Sequence, residues 1–389
     1  MRCLSLLAFI LLLAGCSSTE QSHLPPPPVN LTYHPELQAL PVESMDDIFN
    51  LNSDMKAQLN QAFASRFGDL SATKRLIMFL LNNGDKSLRY QSGATLTAQQ
   101  TYNQLNANCL SLSILAFSMA EHLDLEGEFQ RVHIPEYWAL DKGYNLLTGH
   151  INLKLRMPKV RRSDVINLYD NQGAMLVDFA PDISGDNFKT TTISKERVAA
   201  MFYNNKGAAA LVNNKRNEAF SYFLAATQMD PSYSGGWGNL GILFRVIEDY
   251  QRAEQAYDYA LLADANNNTA AGNLAILYQL TGRQQQAQEI ETALANKRKT
   301  NPYYQVALGN EDIVKKQYSQ ALAHFRKARE LDGRMHESYF GLARTYYLMG
   351  DIKAARKHLT MAHQRAQFKY DKERYRGKLA ALNLVASNR

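Results

Sequence analysis

The sequence predicts two units of different class, a mixed α+β unit followed by an all-α solenoid of stacked helical pairs. Beyond residue 200 the chain repeats itself every 34 positions, the signature of a helical-pair array. Between residues 95 and 200 one helix-like stretch is followed by short runs of partial period-two alternation, which is the pattern of α+β. At 389 residues, 46% of them hydrophobic and 21% charged, the chain has the length for two to three domains and the apolar content to bury their cores. Wholesale disorder, collagen-like chains and coiled-coil fibres are excluded.

The first element is for targeting. Leu4 to Leu13 is a run of about ten apolar residues, enough for a signal-peptide core and too short to cross a bilayer as an ordinary helix. It ends in Leu13-Ala14-Gly15-Cys16, which resembles the lipobox of bacterial lipoproteins. That resemblance implies removal of residues 1–15 and lipidation of Cys16, and Ser17 resembles the outer-membrane sorting signal. The implied location is the outer membrane, lipid-anchored and facing the periplasm. No other stretch approaches the roughly 20 apolar residues of a membrane helix. Residues 16–35 read as a tether, in which Pro25-Pro26-Pro27-Pro28 holds an extended polyproline stalk that lifts the body off the membrane.

Residues 36–199 form the mixed unit. A helix is expected over Met55 to Phe63, with Ser53 as its cap, and a second after Ser71 carrying Leu76, Ile77, Phe79 and Leu80. A third runs from Leu110 to Leu123. Strands are expected at Phe129 to Ile134, His150 to Leu155, Val165 to Tyr169 and Met175 to Phe179.

Residues 200–369 hold five copies in one frame. Ala219, Ala253, Ala287, Ala321 and Ala355 recur 34 apart, as do Gly207, Gly241, Ala275, Gly309 and Ala343. Ala226, Ala260, Leu294, Ala328 and Ala362 form a third series, and Phe223, Tyr257, Glu291, Phe325 and Leu359 a fourth. Small residues at two fixed positions with aromatics between them resemble the tetratricopeptide repeat, whose paired helices approach closely through the small residues. The third copy departs at Glu291 and Leu294. Residues 370–389 read as a helix that closes the last apolar face, and the array implies a protein or peptide partner.

Export leaves one thiol. With Cys3 removed and Cys16 acylated, Cys109 has no partner for a disulfide, so it is either buried and inert or kept for chemistry. Asn106-Ala107-Asn108 reads as loop and Leu110 onward as helix, which puts the thiol at a helix N-terminus where the dipole favours a thiolate. Of the histidines before the repeats, His122 lies 13 residues along the same helix, roughly 20 Å away, and is excluded as a base. His133 remains in Val132-His133-Ile134-Pro135. His150 opens a run in which odd positions are apolar and even ones polar, and Asp178 is a lone carboxylate in an apolar strand, where it calls for a partner. Each also has a structural reading: Cys109 as a buried core thiol, His150 as a hydrogen-bonded strand residue, Asp178 as a capping acid.

Asn108-Cys109-Leu110-Ser111, Val132 to Trp138, Gly149-His150-Ile151-Asn152 and Val177-Asp178-Phe179 together resemble the transglutaminase-like superfamily, a papain-like α+β fold. They are similar in particular to its bacterial members fused to tetratricopeptide repeats. The resemblance spans roughly residues 70–185. It implies Cys109 as nucleophile, His150 as general base and then acid, and Asp178 as the group fixing the imidazole tautomer. Asn103 or Gln104 is an upstream candidate for the oxyanion partner. The chain lacks a Trp before the cysteine and has Asn152 after the histidine, which favours hydrolysis of a peptide or amide over crosslinking.

No Walker loop, His-Glu-x-x-His, paired-cysteine zinc spacing or dinucleotide fingerprint occurs, so neither cofactor nor metal is implied. The net charge of +6 is uneven: residues 297–389 carry 20 Lys and Arg against 8 Asp and Glu. Export points away from nucleic acid as the partner of this basic quarter. The expected function is a lipid-anchored cysteine hydrolase whose repeats recruit a protein; the alternative is a non-catalytic repeat scaffold with a degenerate transglutaminase-like domain.

Overall fold

The computed structural model describes residues 24–64, 75–76, 79–80, 89–90, 93–104, 106–133, 138–141, 144–147, 150–156, 174–177, 189–366 and 369–387. The signal run, Cys16, the strand expected at 165–169 and Asp178 lie outside the described residues. Among those described, no helix is long and apolar enough to cross a membrane.

The mixed unit opens with α1 (Met45–Phe49), held by a reciprocal capping box between Ser44 and Asp47. The next helix, α2 (Ser53–Ala64), is where expected, but its cap is Asn52, whose side-chain oxygen accepts from the Met55 amide at 2.9 Å. Ser53 is already the first helical residue. Residues 75, 76, 79 and 80 are helical and bury Leu76 and Leu80. Then come β1 (Arg89–Tyr90), α3 (Ala98–Gln104), β2 (Asn106–Ala107) and α4 (Cys109–His122). Residues 106 and 107, expected as loop, pair in parallel with β1.

A four-stranded antiparallel sheet follows, built from β3 (Glu126–Val132), β6 (His150–Arg156), β7 (Ala174–Val177) and β8 (Thr190–Ile193), in the order β7-β6-β3-β8. A separate hairpin, β4 (Trp138–Asp141) with β5 (Tyr144–Leu147), was not expected from sequence. Alternation along β6 buries Ile151, Leu153 and Leu155 in one cluster with Leu110, Ile114 and Met119 of α4. Phe117 of α4 stacks on Phe129 of β3 with ring centroids 4.5 Å apart. Asn152, expected on a polar face, is also buried, and its side-chain oxygen has no partner among the described residues.

The repeats are five antiparallel pairs: α5 (Lys195–Val212) with α6 (Arg216–Met229), α7 (Ser234–Val246) with α8 (Tyr250–Ala263), and α9 (Asn268–Leu280) with α10 (Gln284–Lys299). They continue with α11 (Pro302–Val314) and α12 (Tyr318–Leu331), then α13 (His336–Leu348) and α14 (Ile352–Arg365), closed by α15 (Lys369–Ser387). All five alanines of the 219 series are buried. The glycines of the 207 series exist because of the aromatics 16 residues on. A Cβ on Gly207 would lie 2.6 Å from the Phe223 ring, on Gly241 2.6 Å from Tyr257, and on Gly309 2.8 Å from Phe325. Where the later residue is Glu291 or Leu359, the small residue is alanine.

Each turn within a pair uses one left-handed residue, again in period: Asn214, Glu248, Gly282, Lys316 and Gly350. The following amide reaches back to a helical carbonyl, as Asp249 does to Phe244 and Asp351 to Tyr346, both at 2.9 Å, which closes the helix C-terminus. The first pair is fused to the mixed unit, since Val198, Phe202, Tyr203 and Ala226 share its core cluster.

The tether expected over 16–35 is corrected from Leu24 onward. Residues 24–43 do not stand off the body; they form a strap along the first two pairs, bonded chiefly to their second helices. The Tyr259 hydroxyl donates to the Pro25 carbonyl at 2.8 Å, Arg252 Nε to the Asn30 carbonyl at 2.9 Å, and the Leu40 amide to Ser221 Oγ at 2.7 Å. Leu31 and Leu37 enter the repeat core beside Phe220 and Phe244, and His34 Nε2 lies 3.3 Å from Asp249. Polyproline geometry exposes backbone carbonyls that have no partner in the strand itself, and the repeat tyrosines and arginines supply donors.

Candidate functional site

Cys109 is the first residue of α4, and its thiol is free and half-buried. Asn108 organises the helix start. Its side-chain oxygen accepts from the Ser111 amide at 2.9 Å, its amide group donates to Thr95 Oγ1 at 2.8 Å, and its backbone N–H donates to the Ala94 carbonyl at 3.0 Å. Ser111 Oγ in turn accepts from the Leu96 amide at 2.8 Å. The loop at 94–97 is thus stitched to the turn that carries the thiol. Helix geometry leaves the amides of Cys109 and Leu110 without intrahelical acceptors, so they can receive a developing oxyanion. Ser113, one turn along the same face, is fully buried with an unpartnered hydroxyl among the described residues.

The structure places the other expected site residues as follows. His150 opens β6, its backbone in register with Val132 of β3. Asp178 lies outside the described residues, just beyond β7, and so does Cys16. His122 is at the far end of α4 and bonds Asn60 at 3.0 Å. His133 Nε2 lies 3.0 Å from Thr191 Oγ1, and burial, with the charges of Arg131 and Lys189, holds its pKa below the usual imidazole value. Asn103 and Gln104 end α3, with exposed side chains. The Thr95–Asn108–Ser111 network was missed, although Asn three residues before Ser at a helix start is a capping signal.

A second surface lies on the repeats. Val212, Val246, Leu280, Val314 and Leu348 are each the last residue of the first helix in their pair, 34 apart, and are 48, 44, 56, 76 and 43% exposed. Ile276 and Tyr347 extend the row. Single exposed apolar residues are ordinary, but one at the same position of every pair makes a continuous edge. The strap runs over the first two pairs only, and Val212 and Val246 stay exposed beside it. The row was legible as a fifth periodic series and was passed over because solvent exposure is not written in a residue type.

The chain carries tetratricopeptide repeats: residues 315–382 match the tetratricopeptide repeat family. Superkiller protein 3 of Schizosaccharomyces pombe is 26% identical over 152 residues, covering 37% of this chain and 11% of that protein, so the chain spans about a tenth of the relative's length. Among solved structures, MamA of Desulfovibrio magneticus RS-1 is 20% identical over 43% of this chain and 94% of its own, with a TM-score of 0.25. PilF of Pseudomonas aeruginosa is 18% identical over 50% and 93%, with a TM-score of 0.27. YrrB, described as a repeat protein with an unusual peptide-binding site, is 17% identical over 46% and 92%, with a TM-score of 0.25. Scores of this size carry no weight for overall shape; the repeat assignment rests on the family match and the periodic packing.

Proposed function

We propose that this protein is a membrane-tethered interaction module whose repeats hold a protein partner along the edge formed by the ends of their first helices. The row from Val212 to Leu348 carries this reading, because apolar side chains exposed at one position in five successive pairs cost solubility unless a partner covers them. Anchoring is through Cys16, by the lipobox resemblance, at the periplasmic face of the outer membrane. Pro25, which is bonded to Tyr259 of α8, lies nine positions after Cys16, which limits their separation to roughly 30 Å even when fully extended. The strap therefore holds the second pair close to the membrane. The test is site-specific photo-crosslinking in cells from positions 280 and 314, compared with exposed positions 285 and 292 on α10. A discrete protein adduct from the first pair of positions, lost in Val246→Asp/Leu348→Asp, is expected; equal yield from both faces would sink the reading.

A second reading is favoured by the helix start at Cys109. In it the mixed unit is a transglutaminase-like domain, with Cys109 attacking a carboxamide, His150 delivering the proton to the leaving amine and water resolving the thioester. Asn108 positions the thiol, and the amides at 109 and 110 receive the oxyanion. Rates of iodoacetamide alkylation against pH decide it: a thiolate persisting below the ordinary value of about 8.5 and abolished by His150→Ala supports catalysis. A thiol indifferent to that change leaves the scaffold alone.

A further inference from the structure

At the closed end of the array α13, α14 and α15 enclose a groove of about 510 Å³, within the range of roughly 300–1,000 Å³ typical of ligand sites. Its walls are apolar, formed chiefly by Phe340, Ala343, Leu359 and Leu382. Two cations stand at its rim, Arg344 from α13 and Lys378 from α15, both exposed. Among the described residues neither has a carboxylate partner, and Lys378 is held only over the Phe340 ring, 5.7 Å from its centroid. Nearby Arg374 is different: it is bound to the buried carboxylate of Asp371 at 2.8 Å. The protein thus neutralises one cation of this cluster and leaves two facing an apolar slot.

The geometry points to a binding site for an extended peptide segment that carries an acidic side chain next to a large apolar one, the apolar group filling the groove and the carboxylate lying between Arg344 and Lys378. This inference deepens the interaction reading above and rests on it. Charge complementarity selects an anionic ligand, in a stretch where basic residues outnumber acidic ones by twelve. Continuity selects a peptide over a lone acyl chain. Leu348 is both a wall of the groove and the last residue of the exposed row, which continues through Val314 to Leu280, so an occupant leaving the groove meets further apolar contacts one repeat apart. An acyl chain has no polar groups to alternate with those spacings.

Selection of random displayed dodecapeptides on the full chain tests it, with the enriched peptides then synthesised and titrated. Enrichment of sequences with Asp or Glu beside Leu, Ile, Phe or Trp is expected. Their affinity should fall at least about tenfold in Arg344→Glu/Lys378→Glu and weaken as salt rises. Ala381→Trp, which fills the groove from an exposed wall position without altering charge, should give a similar loss, and unchanged thermal midpoints would confirm that the variants fold. Peptides that bind but ignore these changes while responding to Leu280→Asp would overturn this site and keep the interaction reading. No enriched peptide at all would overturn both. Displacement of bound peptide by palmitate, with palmitate bound at least as tightly, would overturn the peptide assignment.

Discussion

The second and third helical pairs share a register, yet their second helices are built differently. In α8 the residues Ala253, Ala256, Tyr257, Tyr259 and Ala260 are buried; in α10 only Ala287 and Leu294 are. Tyr257 reaches across to Gly241, whereas its counterpart Glu291 sits at the surface and accepts from Gln279 at 2.6 Å. Asp264 ends α8 by accepting from the Asn266 amide in a side-chain turn, as Asp230 and Asp332 do for Ser232 and Arg334. The matching position in α10 is Arg298, and the helix runs on to Lys299 until Asn301 and Pro302 start the next one. Two substitutions on one helix, Glu291 and Arg298, therefore change its core face and its end together. The apolar cluster of the first three pairs stops at Ala287 and Ile290, and packing resumes with Val306 and Ile313 of the fourth. A 34-residue period fixes where helices lie; the aromatic 16 residues after the small one decides how tightly they interlock.

The largest test of that contrast removes the aromatic. Tyr257→Ala should cost about 3–5 kcal/mol, the usual loss for a buried ring, while Glu291→Ala should stay within about 0.5 kcal/mol. Urea denaturation followed by circular dichroism checks both, and equal costs would break the comparison. Next comes the glycine. In an exposed helix Gly→Ala gains about 1 kcal/mol, but at Gly241 the new Cβ meets the Tyr257 ring at 2.6 Å, so Gly241→Ala should instead lose about 1–3 kcal/mol. The reverse change, Ala275→Gly, opens no clash and should cost only about 1 kcal/mol. Glu291→Tyr should be tolerated better with Ala275→Gly than without it, by a coupling of about 0.5–3 kcal/mol.

Sequence reading reached the parts of this molecule that repeat or alternate. Five copies made the frame of the solenoid legible, and the odd residues of 151–155 did the same for β6, because burial on one face writes a period into the chain. Asn108 and Ser111 also left a local trace at the helix start. The strap left none that could be read. Pro28 has the extended dihedrals expected of the proline run, but extension is equally suited to solvent and to a docked edge, and the donors of Tyr259 and Arg252, more than 200 residues away, decide between them. The β4–β5 hairpin and β8 escaped for a similar reason, since Thr190-Thr191-Thr192 has no apolar alternation and pairs through its backbone with β3.

The strap offers the smallest predicted effect and the one that separates docking from mere proximity. Its C-terminal end is fixed by Glu43, whose carboxylate accepts from the Tyr222 hydroxyl at 2.9 Å and pairs with Lys206 at 3.2 Å. Burial alone would raise the Glu43 pKa, but its hydrogen bonds and the Lys206 charge outweigh burial and hold it below the ordinary 4.5. Asp249, beside His34, is likewise depressed below 3.8: burial opposes the shift, and the bonds from Arg252 outweigh it. A carboxyl whose folded pKa lies below its unfolded one contributes its full stability above the unfolded value and loses it as pH falls through the folded value. Attachment of the strap should therefore be constant from pH 7 to about 5 and weaken below about 4.5. Measured as thermal midpoint against pH, Glu43→Gln should lie slightly below wild type at pH 7 and converge on it by about pH 3, because the protonated wild-type side chain has lost the same ion pair. Parallel curves over that range would mean that Glu43 does not hold the strap, leaving its attachment to Leu31 and Leu37 in the core.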